Sequence, residues 1–339
     1  MAEVVAVVGA IARSSWRELR SLGSFQGNNL LALIVLMMAE EPRNLQSSAS
    51  FYWLIIAVLF LFPLSADLLR QVPKDRLLLW PLSNGQMAAI RAATLLLNPV
   101  LWIALVVAIF VHSAMLGLML ALASFAVQLL VRIRLPRLNL LRFIGSFPSR
   151  LGGLIQNHLR VLLSALDFYF AVLFATCAAI YCFLTVSPDP MAKVVIGQLV
   201  IIFLSTLAQC QFGFDDAAER VRYRLFPLSG AEILLAKDIA WFLLAILLTW
   251  PFHFLACISS ALTVLAIGHH TAVREPVRQH RWRFAEGRLG TVGLLQMFAA
   301  MSSGVAVSQA GPLAGLPFVG VYVASLWFYG RKWEEQNGS

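Results

Sequence analysis

Few residues in this chain have the types and spacing that chemistry needs. His269, His270 and His280 cluster in a stretch that also holds Arg274, Arg278, Arg281, Arg283 and Arg288. Imidazoles ligate transition metals, but this much positive charge opposes a bound cation, so the stretch 269–288 reads as a solvated loop. Cys177, Cys182, Cys210 and Cys257 fall inside apolar runs without a C-x-x-C pair. Each reads as a small buried hydrophobe. Asp67, Asp167, Asp215 and Asp216 lie at the ends of apolar runs. There they read as boundary ion pairs, Asp67 with Arg70 or Asp167 with Arg160, and they make no chain of buried carboxylates of the kind proton-coupled transport uses. Asn98, Gln128, Gln198, Gln209, His253 and Gln296 fall within the apolar runs, where polar groups join neighbouring helices by hydrogen bonds. The chain has no G-x-x-x-x-G-K-[ST] phosphate loop, no H-E-x-x-H, and no G-x-S-x-G or G-x-G-x-x-G in a strand–helix context. It is therefore expected to be no enzyme, to hydrolyse no ATP itself, and to hold no cofactor and no metal.

The pattern with the most content is a repeat. Arg76-Leu77-Leu78-Leu79-Trp80-Pro81-Leu82-Ser83 continues through Gln86, Met87 and Arg91. Arg222-Tyr223-Arg224-Leu225-Phe226-Pro227-Leu228-Ser229 continues through Glu232, Ile233 and Lys237 in the same register. The proline ends any helix before it, because it lacks an N–H and constrains the residue that precedes it. A serine with Gln or Glu three residues later is a capping box, in which each side chain satisfies the other's backbone N–H. Each copy therefore encodes a helix–break–helix elbow. Arg76, Arg91, Arg222 and Lys237 are expected to pair with acidic groups of a partner or with lipid phosphate.

The elements that must position these elbows follow from composition. Of 339 residues, 60% are hydrophobic and 13% charged, whereas a soluble domain is roughly 45–50% apolar and about 25% charged. A soluble enzyme, a disordered chain and a disulfide scaffold are excluded. At about 20 residues per crossing, the apolar runs give about ten spans. They are 24–39, 50–66, a hairpin over 94–131, a pair at 166–186 and 192–212 split by Ser187-Pro188-Asp189-Pro190, a hairpin over 239–268 turning near Pro251, and a last hairpin over 291–329 broken at Gly311-Pro312. The 239–268 arms are short by this reading, so a re-entrant hairpin competes with a full crossing there. With the N-terminus in the cytoplasm, every one of the 26 basic residues except Arg43 and Lys193 falls on the cytoplasmic side. That satisfies the positive-inside rule and puts both termini inside. The net charge of +9 then reflects topology and anionic lipid. The basic stretch 132–160 is expected to lie on anionic lipid or against a partner, and not on nucleic acid.

The expected fold is all-α, a polytopic transmembrane bundle of about ten spans. Residues 1–23 form an interfacial amphipathic helix with Arg13, Arg17 and Arg20 on its polar face. Residues 24–160 and 161–288 are two four-span repeats, and 289–339 are a C-terminal hairpin and tail.

The segment Glu219…Arg224-Leu225-Phe226-Pro227-Leu228-Ser229…Glu232-Ile233-Leu234…Lys237 resembles the cytoplasmic segment after the second span of ABC-2-type transporter permeases. The N-terminal amphipathic helix is similar to the connecting helix of that family. The resemblance covers about 20 residues in each repeat. It implies a permease subunit in a bacterial cytoplasmic membrane, docked on a separate cytoplasmic ABC ATPase that drives export, and working as a homodimer or as a heteromer with another permease chain. The coupling elbows would be formed by Arg76, Trp80, Pro81, Leu82, Ser83, Gln86 and Arg91, and by Glu219, Arg222, Phe226, Pro227, Leu228, Ser229, Glu232 and Lys237. The family has one elbow and six spans per chain; this sequence has two elbows, and Gln86 stands where the first would carry Glu. The alternative expectation is a membrane scaffold or assembly factor that transports nothing.

Overall fold

The computed structural model describes residues 150–184, 190–215, 228–274 and 290–337 throughout. It also describes isolated positions: Gly9, Ser83, Gly85, Gln86, Ala89, Ile90, Glu219, Val221, Tyr223, Pro276, Arg278, Gln279, Ala285 and Gly287. The described positions before residue 138 belong to one compact unit and those from 150 onward to a second. The expected interfacial helix 1–23 (save Gly9) and the spans 24–39, 50–66 and 94–131 lie outside the described residues.

Every described element is helical. In chain order these are α1 Gly152–Leu162, α2 Leu166–Leu184, α3 Pro190–Gln209, α4 Gly230–Thr249, α5 Phe254–Arg274, α6 Gly290–Ala310 and α7 Leu316–Asn337, with a 3₁₀ turn Pro312–Gly315 between the last two. The breaks fall where backbone chemistry requires them. Pro190 opens α3, at a position where its missing N–H costs nothing. Pro251 lies in the turn between α4 and α5. Gly311 leaves α6 with φ +85, a region open to glycine because it has no Cβ, and Pro312 begins the next turn.

Five helical segments are long and apolar enough to cross a membrane: Leu166–Phe183, Pro190–Gln209, Phe254–Arg274, Thr291–Ala310 and Pro312–Gln336. At 1.5 Å per residue, a helix of 20 residues such as α3 spans about 30 Å, the thickness of the hydrocarbon layer. The described part of the chain is therefore an all-α integral membrane protein. The arms of the hairpin at Pro251 are longer than expected. α4 has 20 residues and α5 has 21, because α4 starts at the elbow and takes in Glu232, Lys237 and Asp238.

α5 is the centre of this unit and packs against α3, α6 and α7. Its buried positions include Ala256, Cys257, Ser259, Ser260, Ala261, Gly268, Thr271 and Ala272. In lipid the hydrophobic effect does not drive helices together, so small residues that admit a close backbone approach do much of that work. A Cβ on Gly268 would stand 3.1 Å from the Ala208 carbonyl carbon of α3. α7 lies at the rim, with only 6% of its spanning segment buried, and turns Val319, Val323, Trp327 and Phe328 outward. Aromatic packing joins α2 to α3, where Phe203 meets Phe170 and Phe174 edge-on at 4.9 Å each.

α1 is a correction to the sequence reading. Residues 152–160 were expected to lie on anionic lipid or against a partner as part of a basic loop. They form most of a helix packed on α4, with Ile155, His158 and Leu159 buried and Arg160 exposed.

Candidate functional site

The capping box that opens α4 is built as its spacing predicts. Ser229 has extended backbone (φ −70, ψ 154) and caps α4. Its Oγ accepts from the Glu232 N–H at 3.2 Å, and the Glu232 carboxylate accepts from the Ser229 N–H at 2.7 Å. The first copy has the same reciprocal pair in the other unit. The Gln86 N–H donates to Ser83 Oγ at 3.3 Å, and the Ser83 N–H donates to Gln86 Oε1 at 2.8 Å. Glutamine thus replaces glutamate without loss of the box, since either side chain offers an acceptor oxygen. Of the other elbow candidates, Arg76, Trp80, Pro81, Leu82, Arg91, Arg222, Phe226 and Pro227 lie outside the described residues.

The second elbow is anchored on three sides. Glu219 accepts from Asn157 Nδ2 of α1 at 2.9 Å. Leu228 packs against a buried cluster that includes Phe212, Tyr223, Ile233 and Trp333, in which Phe212 and Trp333 stack at 5.7 Å. The Gly230 N–H donates to Glu334 of α7, so a second carboxylate meets the helix N-terminus, where negative charge is favoured. The close approach depends on glycine: a Cβ on Gly330 would stand 2.6 Å from the Ala231 Cα.

Lys237 corrects another expectation. It does not face a partner or lipid phosphate but is 2% exposed. Its Nζ pairs with Asp215 at 2.7 Å and donates to the Gln211 carbonyl at 3.1 Å. It also sits 4.8 Å from the Phe212 ring centre and 5.5 Å from that of Tyr223, so its charge is spread over a carboxylate and two π faces. Tyr223 donates to Asp215 at 3.3 Å. Burial pushes the Asp215 carboxyl upward, and the Lys237 ammonium opposes that push. On the α1 side, burial and then the Lys237 charge hold His158 well below the usual histidine range.

One residue further along α4, Asp238 is the buried charged residue that sequence reasoning missed. It is 1% exposed; its Oδ1 accepts from Gln211 Nε2 at 2.8 Å, its Oδ2 accepts from Tyr322 Oη at 2.9 Å, and the same Oδ2 is hydrogen-bonded to His269 Nε2 at 2.9 Å. His269 was expected in a solvated loop. It lies instead on α5, fully buried, with Nδ1 3.0 Å from Ser325 Oγ and the Tyr322 and Tyr329 rings against it. His270 is also on α5, half-buried, with its ring edge-on to Tyr329; His280 lies outside the described residues. Ionisable groups are costly within a membrane and mark function by default. Here Asp215, Lys237, Asp238 and His269 form one polar junction that ties α4 to the segment after α3, to α5 and to α7. The signal was present in the sequence as an Asp and a His on the two arms of one hairpin.

Of the polar groups expected within apolar runs, Gln198, Gln209 and Gln296 link helices, and Asn98 and Gln128 lie outside the described residues. Gln198 donates to the Met301 carbonyl at 2.9 Å, Gln209 to Gln296 Oε1 at 2.6 Å, and Gln296 to the Val264 carbonyl at 2.7 Å, as expected for polar groups inside apolar runs. His253 lies in the turn before α5, where its Nδ1 accepts from the Ala256 N–H at 3.4 Å. Asp167, expected to pair with Arg160, accepts instead from Thr206 Oγ1 and from the Ala285 N–H, each at 2.7 Å. Among the described residues, no three of His, Cys, Asp and Glu converge as metal ligands do.

The fold and the site thus define an all-helical membrane protein with a capped elbow set on a buried charged junction. Comparison with protein-family models, with curated proteins and with solved structures gives no match.

Proposed function

We propose that this chain is the membrane-spanning permease subunit of an ATP-driven, ABC-2-like exporter in a bacterial cytoplasmic membrane, with about ten spans and both termini inside. A separate cytoplasmic ATPase docks on the elbows at Ser83 and Ser229 and drives translocation. The chain itself performs no hydrolysis.

The observation that supports this reading most is the continuity of the second elbow with the bundle. The capping box at Ser229 holds the first turn of α4 rigid. Lys237 and Asp238, two turns on, are bonded to the segment after α3, to α5 and to α7. A displacement applied at Ser229 would reach three other parts of the bundle through short, charge-assisted bonds. A scaffold needs no such lever.

The test is purification in mild detergent followed by assay in liposomes. The expected result is a co-purifying ATPase with a phosphate-binding loop, whose hydrolysis rises when the complex is intact and falls when Arg222→Glu reverses charge beside the elbow. Absence of any ATPase, together with normal cellular function of Arg222→Glu, overturns the reading and favours a non-transporting scaffold.

A further inference from the structure

The bonds around His269 count its hydrogens. Ser325 Oγ lies 2.7 Å from the Ala266 carbonyl oxygen. A carbonyl has no hydrogen to give, so the one hydroxyl hydrogen of Ser325 is spent there. Toward His269, Ser325 can then only accept, and Nδ1 must carry a hydrogen at 3.0 Å. On the other side of the ring, Asp238 Oδ2 already accepts from Tyr322, and Oδ1 accepts from Gln211. One hydrogen must then lie between Asp238 Oδ2 and Nε2, which are 2.9 Å apart, and we assign it to the imidazole, the more basic of the two groups, which leaves the carboxylate ionised. An imidazole with hydrogens on both nitrogens is an imidazolium.

Charge agrees with this count. The junction holds Asp215 and Asp238 as anions and Lys237 as a cation, and a protonated His269 makes it neutral, as a buried cluster in a membrane requires. The titratable groups facing His269 are Asp238 from α4, and Tyr322 and Tyr329 from α7, with His270 next to it on α5. Lys237 and Asp215 stand one step away through Gln211 and offset each other. From α3 and α6 the described polar groups facing α5 are glutamines and serines, which do not titrate.

We infer that Asp238, His269 and Ser325 form a proton-binding site inside the bundle, with a proton as ligand and the α4–α5–α7 junction as the element it controls. In the loaded state two hydrogen bonds join α5 to α7: His269 Nδ1–H to Ser325 Oγ, and Ser325 O–H to the Ala266 carbonyl. When Nδ1 gives its proton to water, its bare lone pair faces Ser325. The serine hydroxyl then turns from Ala266 to Nδ1, one of the two bonds is lost, and Asp238 loses its countercharge. The site is a latch, closed when protonated and loosened at higher pH. It stands independently of whether the chain drives export.

The experiment is nitrogen NMR of the full chain in detergent with ¹⁵N-labelled histidine, from about pH 5 to about pH 8, the window in which histidine serves as a switch. The His269 signals are identified as those displaced in Ser325→Ala, which keeps the histidine and changes only its acceptor, and as those missing in His269→Gln where that variant folds. The expected result is an imidazolium with both nitrogens protonated at low pH, and loss of the Nδ1 hydrogen alone as pH rises. Ser325→Ala should change the pH at which that hydrogen is lost, because the ring has one acceptor fewer. A bare Nδ1 or a bare Nε2 on His269 across the whole range overturns the proposal, and so does a titration unmoved by Ser325→Ala.

Discussion

Lys237 shows how a buried charge is kept. Its ammonium is matched by Asp215 at 2.7 Å, and removing one member strands the other in a medium that solvates it poorly. Lys237→Met is expected to cost about 3–5 kcal/mol, as breaking buried pairs does. The double variant Asp215→Asn with Lys237→Met should recover part of that loss, and denaturant unfolding in detergent measures both. His158 supplies a pH test in the opposite charge state. Burial and the Lys237 charge depress its proton affinity in the fold, while the unfolded chain titrates near the ordinary value of about 6.5. Below that value the unfolded state takes up a proton the folded state refuses, so stability falls as pH falls. His158→Gln should flatten that limb of the stability–pH curve.

The helical elements were largely legible in the residues. Prolines and a glycine mark the breaks at 188–190, 251 and 311–312, and the serine–glutamate spacing marks the capping box. Capping is local chemistry, which a run of four residues decides. Ser229→Ala is expected to destabilise α4 by about 1 kcal/mol, read as a lowered unfolding midpoint. Crossings between elements were not legible in the same way. Gly230 and Gly330 meet where α4 crosses α7, although 100 residues of chain separate them. Gly330→Ala should separate those helices and lower the unfolding temperature. Gly320→Ala on the same helix meets nothing within 4 Å and should be neutral or mildly stabilising. Asp238 and His269 escaped notice for the same reason: helical spacing tells which face a residue shares, and only the folded hairpin shows what stands opposite. α1 escaped because the arginines before it suggested that the stretch 132–160 lies on lipid, while Ile155, His158 and Leu159 form a buried stripe.

At the scale of the whole molecule, the described residues hold five helical segments suited to a membrane, and a polar junction ties α4, which starts at the exposed capping serine Ser229, to α5 and α7. The apolar excess and the basic charge were enough to read a membrane bundle; the use of that bundle rests on the elbow. The most direct measurement places a photo-crosslinking amino acid at Ser229, which is exposed, and irradiates intact cells. The account predicts a covalent adduct with a cytoplasmic ATPase that carries a phosphate-binding loop, identified by mass spectrometry and lost when Arg222→Glu is added. Adducts with lipid alone, or none with any ATPase, would contradict it.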